Sequence, residues 1–60
     1  MTLAYDIERL VVLCEQIKAV VAEVETHDVP RWLSSRALEL SFVADGLKRA
    51  IERDRRELAQ

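Results

Sequence analysis

The segment "ETHDVPRWL", residues 25–33, is the one clear interruption in an otherwise helical sequence, and it decides the fold. Pro30 has no amide hydrogen, and its ring keeps the preceding residue, Val29, away from helical backbone angles. A helix that enters this segment should therefore end before Pro30, whereas Pro30 itself suits the first turn of a following helix. Because the connection is short, the two helices should be antiparallel neighbours. A later start of the second helix, with Ser34 or Ser35 as its N-cap, is the alternative.

Before the break, apolar residues recur at alternating spacings of four and three, which is typical of a helix that packs along a seam. At about 100° per residue, further apolar residues widen this stripe to roughly half of the helix circumference. One antiparallel partner covers a narrower stripe, so the first helix should have at least two neighbours. The seam residues before the break are Leu3, Ile7, Leu10, Cys14, Ile17, Val21 and Val24.

After the break, a second stripe has the same spacing, and Asp54 is its one polar residue. Asp45 and Gly46 could form a turn, but the apolar phase is the same before and after Gly46, whereas a turn would normally shift it. A glycine inside a helix costs only about 1 kcal/mol relative to alanine. We therefore predict one continuous second helix. Its seam residues are Leu33, Ala37, Leu40, Ala44, Leu47, Ile51 and Leu58.

The 60 residues are half hydrophobic and one third charged, which is typical of a globular chain. A core built from so few residues is marginal. One cysteine and one histidine provide neither an internal disulfide nor an ordinary zinc site, so association between chains is the remaining means of stabilisation. We predict a single all-α domain (residues 1–60), an antiparallel two-helix hairpin with helices at about 3–27 and 30–58 that dimerises into a four-helix bundle. The core and dimer seam are assigned to Ile7, Leu10, Cys14, Ile17, Val21, Leu40, Leu47 and Ile51.

The sequence carries no recognisable catalytic motif. Cys14 lies on the predicted seam and His27 near the end of the first helix, about three to four turns away, so the two do not form a nucleophile and its base. A Gly-rich phosphate loop and a nucleotide-binding fingerprint are both absent. The first ten residues lack the pattern of a secretory signal, and the longest apolar run, residues 10–14, is too short to span a bilayer. We expect a non-enzymatic cytoplasmic protein without cofactor, metal or membrane contact.

Two large apolar residues of the second helix, Leu38 and Phe42, fall on the side away from its seam. Scattered exposed apolar residues are common, so this pair is ordinary surface, a self-association face or a partner-binding site. Tyr5 and Val12 form a smaller outward pair on the first helix, and Trp32 is expected to close the end of the hairpin. At about 100° per residue, the side that carries Leu38 and Phe42 also carries four arginines, Arg31, Arg49, Arg53 and Arg56.

Among the possible functions, we favour a small regulatory or adaptor protein of the inhibitor, chaperone or mobile-element type, which binds another protein through this outward side. The alternatives are a dimeric RNA- or DNA-binding regulator and a purely structural oligomerisation module. The expected architecture resembles that of the plasmid copy-number regulator Rop, but the two share no residue-level motif, so the likeness concerns the fold alone. A net charge of −2 weakens the nucleic-acid alternative, because binding to phosphates depends on positive charge.

Overall fold

The computed structural model describes residues 2–58, which form two α-helices, α1 (Leu3–Glu25) and α2 (Arg31–Leu58). The helices pack against each other as an antiparallel hairpin, and this confirms the predicted fold. Compared with the prediction, α1 ends two residues earlier and α2 begins one residue later. Helix α2 continues through Gly46, which confirms that one helix follows the break; the alternative start near Ser34 was wrong.

Hydrogen bonds at both ends of α1 explain why the helix begins and ends where it does. The hydroxyl oxygen of Thr2 accepts a hydrogen bond from the Tyr5 N–H at 3.2 Å, which makes Thr2 the N-cap. At the other end, the N–H and the hydroxyl of Thr26 donate to the carbonyl of Glu23 at 3.1 and 2.6 Å. These bonds satisfy backbone groups that have no partner inside a helix terminus.

Helix α2 begins directly after the proline. The Pro30 carbonyl accepts hydrogen bonds from the N–H groups of Leu33 and Ser34, at 3.0 and 3.2 Å. The fixed backbone angle of proline suits this position, and the missing N–H has no consequence at the start of a helix. Pro30 therefore ends the first helical segment and prepares the second.

The core between α1 and α2 is thin, and much apolar surface stays outside it. The chain exposes 4989 Å², whereas a compact monomer of 6.9 kDa exposes about 4000 Å². The hairpin therefore leaves roughly 1000 Å² more surface in water than is usual for its mass. The buried side chains among the described residues are Ile7, Val11, Cys14 and Val21 of α1 and Ala44 and Ile51 of α2.

Candidate functional site

Ion pairs between the helices close one side of the hairpin, which we call the polar face. In each pair the two residue numbers add up to 63, so the antiparallel register is constant along the hairpin. Because both helices contribute acidic and basic groups, the pairs hold the helices at a fixed height relative to each other. Among residues 2–58, the pairs that join α1 to α2 are Lys18–Asp45 at 2.7 Å, Lys48–Glu15 at 3.1 Å, and Arg55–Glu8.

These contacts stabilise the charged forms of Asp45 and Lys48. The hydrogen bond from Lys18 holds the pKa of Asp45 below its usual value of 3.8, and the nearby Arg49 acts in the same direction. The hydrogen bond to Glu15, with the attraction of its charge, raises the pKa of Lys48 above its usual value of 10.5. Both side chains therefore remain ionised around neutral pH, and the polar face keeps its ion pairs there.

The opposite side of the hairpin is an open apolar surface, which we call the apolar face. Measured from the buried residues at about 100° per residue, its members centre roughly 95° around α1 and roughly 60° around α2, toward the same side. A shallow groove crosses between the helices there, where α1 residues such as Ile17 face Leu40 of α2. Apart from half-buried Ile17, the members are 43–68% exposed. The apolar face consists of Leu10, Leu13, Ile17 and Val20 of α1 and Leu40, Val43 and Leu47 of α2.

The residues predicted for the core and dimer seam divide between two locations in the hairpin. A four-three spacing does not distinguish the side of a helix that faces its own partner from the neighbouring side. Val11, which lies on a flank of the predicted stripe, is in fact buried in the core. Ile7, Cys14, Val21 and Ile51 are buried between the helices, Ile17 is half-buried, and Leu10, Leu40 and Leu47 are exposed on the apolar face.

The outer face of α2 carries the residues predicted to bind a partner. Leu38 is 44% exposed and Phe42 is 68% exposed, about 120° and 160° around α2 from its seam. The four predicted arginines, Arg31, Arg49, Arg53 and Arg56, are exposed as well. Part of their charge is already balanced within the chain: Arg49 pairs with Asp45 at 2.9 Å, and Arg53 pairs with Asp54 at 3.1 Å.

The secondary candidates are also exposed. Tyr5 and Val12, 53% and 50% exposed, line a shallow groove on the outside of α1, and the Arg9 guanidinium lies 5.8 Å from the centre of the Tyr5 ring. Trp32 is 68% exposed, so the prediction that it closes the end of the hairpin was wrong. It lies about 120° around α2 from the Ala44 side, and the connection does not fold over it.

Two further observations concern residues 2–58. They contain no group of three or more His, Cys, Asp or Glu side chains that could hold a metal ion. Neither α1 nor α2 is long and apolar enough to cross a bilayer. Comparison of the chain with family models, with curated proteins and with solved structures found no match.

Proposed function

We propose that this chain is a small non-enzymatic regulatory or adaptor protein that binds another protein through the outer face of α2, and that it does so as a homodimeric four-helix bundle. The exposure of Phe42 and Leu38 on the side of α2 that faces away from α1 carries the proposal. Burying a side chain of this size contributes about 1.5–3 kcal/mol, which a bound partner would recover.

Charge complementarity favours a partner protein that presents apolar side chains flanked by aspartate or glutamate. The apolar pair has Arg31 and Arg49 on either side along the helix, and arginines at the rim of an interface contribute steering and orientation more than affinity. The ion pairs of Arg49 and Arg53 reduce the positive field on which binding to a phosphate backbone depends. The outer face therefore suits a protein better than a nucleic acid.

The homodimer is part of the proposal because seven apolar side chains, six of them 43–68% exposed, lie together on one side of the hairpin. Contiguous exposed apolar patches beyond a few hundred Å² are rare on monomeric proteins and mark sites of association. Dimerisation through the apolar face leaves the outer face of α2 free, because the two surfaces lie on different sides of the helix. A purely structural module would dimerise in the same way but would have no use for an exposed outer face.

The decisive experiment replaces Leu38 and Phe42 together with serine. Tagged wild-type protein is used to capture partners from the native host, mass spectrometry identifies them, and a purified partner is then titrated with each variant. The matched control replaces Tyr5 and Val12, a pair of similar exposure on α1, with serine. We expect the Leu38/Phe42 variant to keep its dimer mass and melting temperature but to lose binding of the partner. The control should keep its dimer mass, its melting temperature and its binding of the partner.

Other outcomes would contradict the proposal in different ways. A Leu38/Phe42 variant that unfolds or becomes monomeric would assign these residues to self-association. If the variant stays folded and still binds the partner with wild-type affinity, the partner meets another surface, and Trp32 becomes the next residue to test. Recovery of nucleic acid that depends on Arg49 and Arg53, with affinity that falls steeply as salt rises, would support the nucleic-acid alternative instead.

A further inference from the structure

We infer that a second copy of this chain covers the apolar face in the antiparallel orientation, so that the outer faces of the two α2 helices lie on the same side of one bundle. This rests on the homodimer of the proposed function and adds its orientation. The orientation matters because it decides whether a partner meets both outer faces together or only one.

On each helix, the angle between the buried seam and the apolar face favours a second hairpin over a single added helix. In a four-helix bundle each helix has two neighbours about 90° apart, whereas in a three-helix arrangement they are about 60° apart. The apolar face centres roughly 95° from the seam on α1 and roughly 60° on α2. Its outer members, Leu13 and Val20 of α1 and Val43 of α2, lie about 90–135° from the seam, beyond the reach of a single helix in the groove, and therefore point toward a pair of helices stacked on the hairpin.

The size of the exposed surface agrees with the same occupant. The hairpin exposes roughly 1000 Å² more surface than is usual for a compact monomer of its mass, and its Cα extents are 45 × 19 × 13 Å. A stable protein–protein interface buries about 800 Å² on each partner. A single helix is about 10 Å wide and would cover only about half of the 19 Å width. A second hairpin has the same dimensions as the side to be covered.

Charges at the edges of the apolar face determine the orientation. By helical periodicity, Asp6 of α1 and Asp54 of α2 lie on this side near the open end of the hairpin, and Arg36 of α2 lies on it near the connection. A parallel dimer would bring both copies of Asp6 and Asp54 to the same end, and such like-charge contacts are unfavourable. An antiparallel dimer brings Arg36 of each copy to Asp54 of the other.

Both groups are able to exchange partners. Arg36 pairs with Glu39 at 3.0 Å and Asp54 pairs with Arg53 at 3.1 Å, but both are pairs of close sequence neighbours with exposed side chains. Arg36 and Asp54 are 18 positions apart, about 27 Å along α2, so they cannot pair within one chain. A contact between them therefore requires a second copy.

The alignment that pairs Arg36 of each copy with Asp54 of the other also brings apolar residues of the two copies together. A two-fold axis that pairs Arg36 with Asp54 crosses α2 midway between them, at the height of Asp45. Val43 and Leu47 are equally far from this point, so Val43 of one copy faces Leu47 of the other. Val43 is 68% exposed and Leu47 is 43% exposed in the hairpin, and in the antiparallel dimer each packs against the other residue of the second copy.

The antiparallel arrangement also places α2 beside α2 and α1 beside α1. Because the outer face points away from α1, the Leu38 and Phe42 pairs of both copies then lie on one side of the bundle, on neighbouring helices. In a parallel dimer α2 lies diagonally from its copy, and the two pairs lie on opposite sides. The antiparallel dimer thus offers a partner protein two basic and apolar strips at once, and a partner with two acidic segments gains affinity by engaging both.

The orientation is measured by the distance between spin labels. Replacing Cys14 with alanine removes the native thiol, and replacing the exposed His27 with cysteine places one label in each connection. In the antiparallel dimer the two connections lie at opposite ends. Lys18 pairs with Asp45 at the height of the two-fold axis, and His27 lies nine residues beyond Lys18, about 14 Å along the helix direction, so we expect a separation of roughly 30 Å between the labels. A separation below roughly 20 Å, as expected for two connections at the same end with interaxial distances of about 8–10 Å, would overturn the orientation. A concentration-independent monomer would overturn the second copy itself.

The second measurement exchanges the charges of Arg36 and Asp54, in a protein that keeps the native Cys14, and determines the dimer dissociation constant. Arg36→Asp should raise the dimer dissociation constant on the order of tenfold, since it sets two like-charge contacts against Asp54 of the other copy. The double variant Arg36→Asp with Asp54→Arg should restore the dissociation constant to within about threefold of the wild-type value. Failure of the second substitution to rescue the first would contradict the antiparallel contact. Both measurements are made without a partner protein, so their failure leaves binding through Leu38 and Phe42 to its own test.

Discussion

Replacing Leu47 tests whether a second copy of the chain covers the apolar face. Its side chain is 43% exposed, so the hairpin buries somewhat more than half of it and a dimer would bury the rest. Complete burial of a leucine contributes about 1.5–3 kcal/mol relative to full exposure. The 43% that remains exposed corresponds to about 0.6–1.3 kcal/mol for each chain.

A homodimer carries the substitution Leu47→Ala twice. Dimerisation should therefore weaken by about 1.3–2.6 kcal/mol, which raises the dissociation constant roughly 10- to 80-fold. Sedimentation velocity over a series of concentrations measures this constant, and circular dichroism verifies that the helices persist.

The matched control is Phe42→Ala, which removes a large side chain that is 68% exposed on the outer face of α2. We expect its dimer dissociation constant to stay within about twofold of the wild-type value, because surface substitutions usually change stability by less than about 0.5 kcal/mol. If Leu47→Ala had no effect on the constant, or if both variants raised it equally, the assignment of the apolar face as the interface would be refuted.

Gly46→Ala should raise the free energy of unfolding by about 0.5–1 kcal/mol and the melting temperature by about 2–8 °C. The reason is that alanine favours the helix, and within the described hairpin an added Cβ meets nothing within 4 Å. A lower melting temperature would indicate that Gly46 packs closely against another part of the protein. Because ion pairing lowers the pKa of Asp45 in the folded state, its stabilising contribution is present above the usual pKa of 3.8 and is lost as pH falls through the lowered value. Denaturant unfolding between pH 6 and about pH 2 should therefore show a smaller acid-induced loss of stability in Asp45→Asn than in the wild type, and equal losses would contradict the role of this pair. The Cys14 side chain is only 3% exposed, so a thiol reagent should modify it slowly in the native protein and rapidly in denaturant; equal rates would place it at the surface.

The hairpin was predictable because its determinants are local. Pro30 restricts the backbone of its own residue and of Val29, whatever the rest of the chain does. The apolar spacing continues unchanged through Gly46, and this continuity outweighed the weak helix propensity of glycine. Leu38 and Phe42 were expected to point away from the seam, and both are exposed. Each of these predictions depends only on residues within a few turns of one helix.

The division of the apolar residues between core and open surface was not predictable in the same way. Cys14 and Leu10 occupy the two alternating positions of the four-three pattern, and the pattern alone does not tell which of the two faces α2; Cys14 is buried and Leu10 is 43% exposed. The difference depends on where the axis of α2 lies relative to α1, which the ion pairs of the polar face and the packing of small residues such as Ala44 help to set. The prediction for Trp32 was wrong for a related reason, since the exposure of its side chain depends on the path of the connection between the helices.

The molar mass of the wild-type protein tests the central claim most directly. Sedimentation equilibrium at micromolar concentration should give twice the chain mass of 6.9 kDa, about 13.8 kDa, with dissociation on dilution. A mass of 6.9 kDa at every concentration, together with a cooperative thermal transition, would show that the hairpin is stable with its apolar face in water, and would contradict the account.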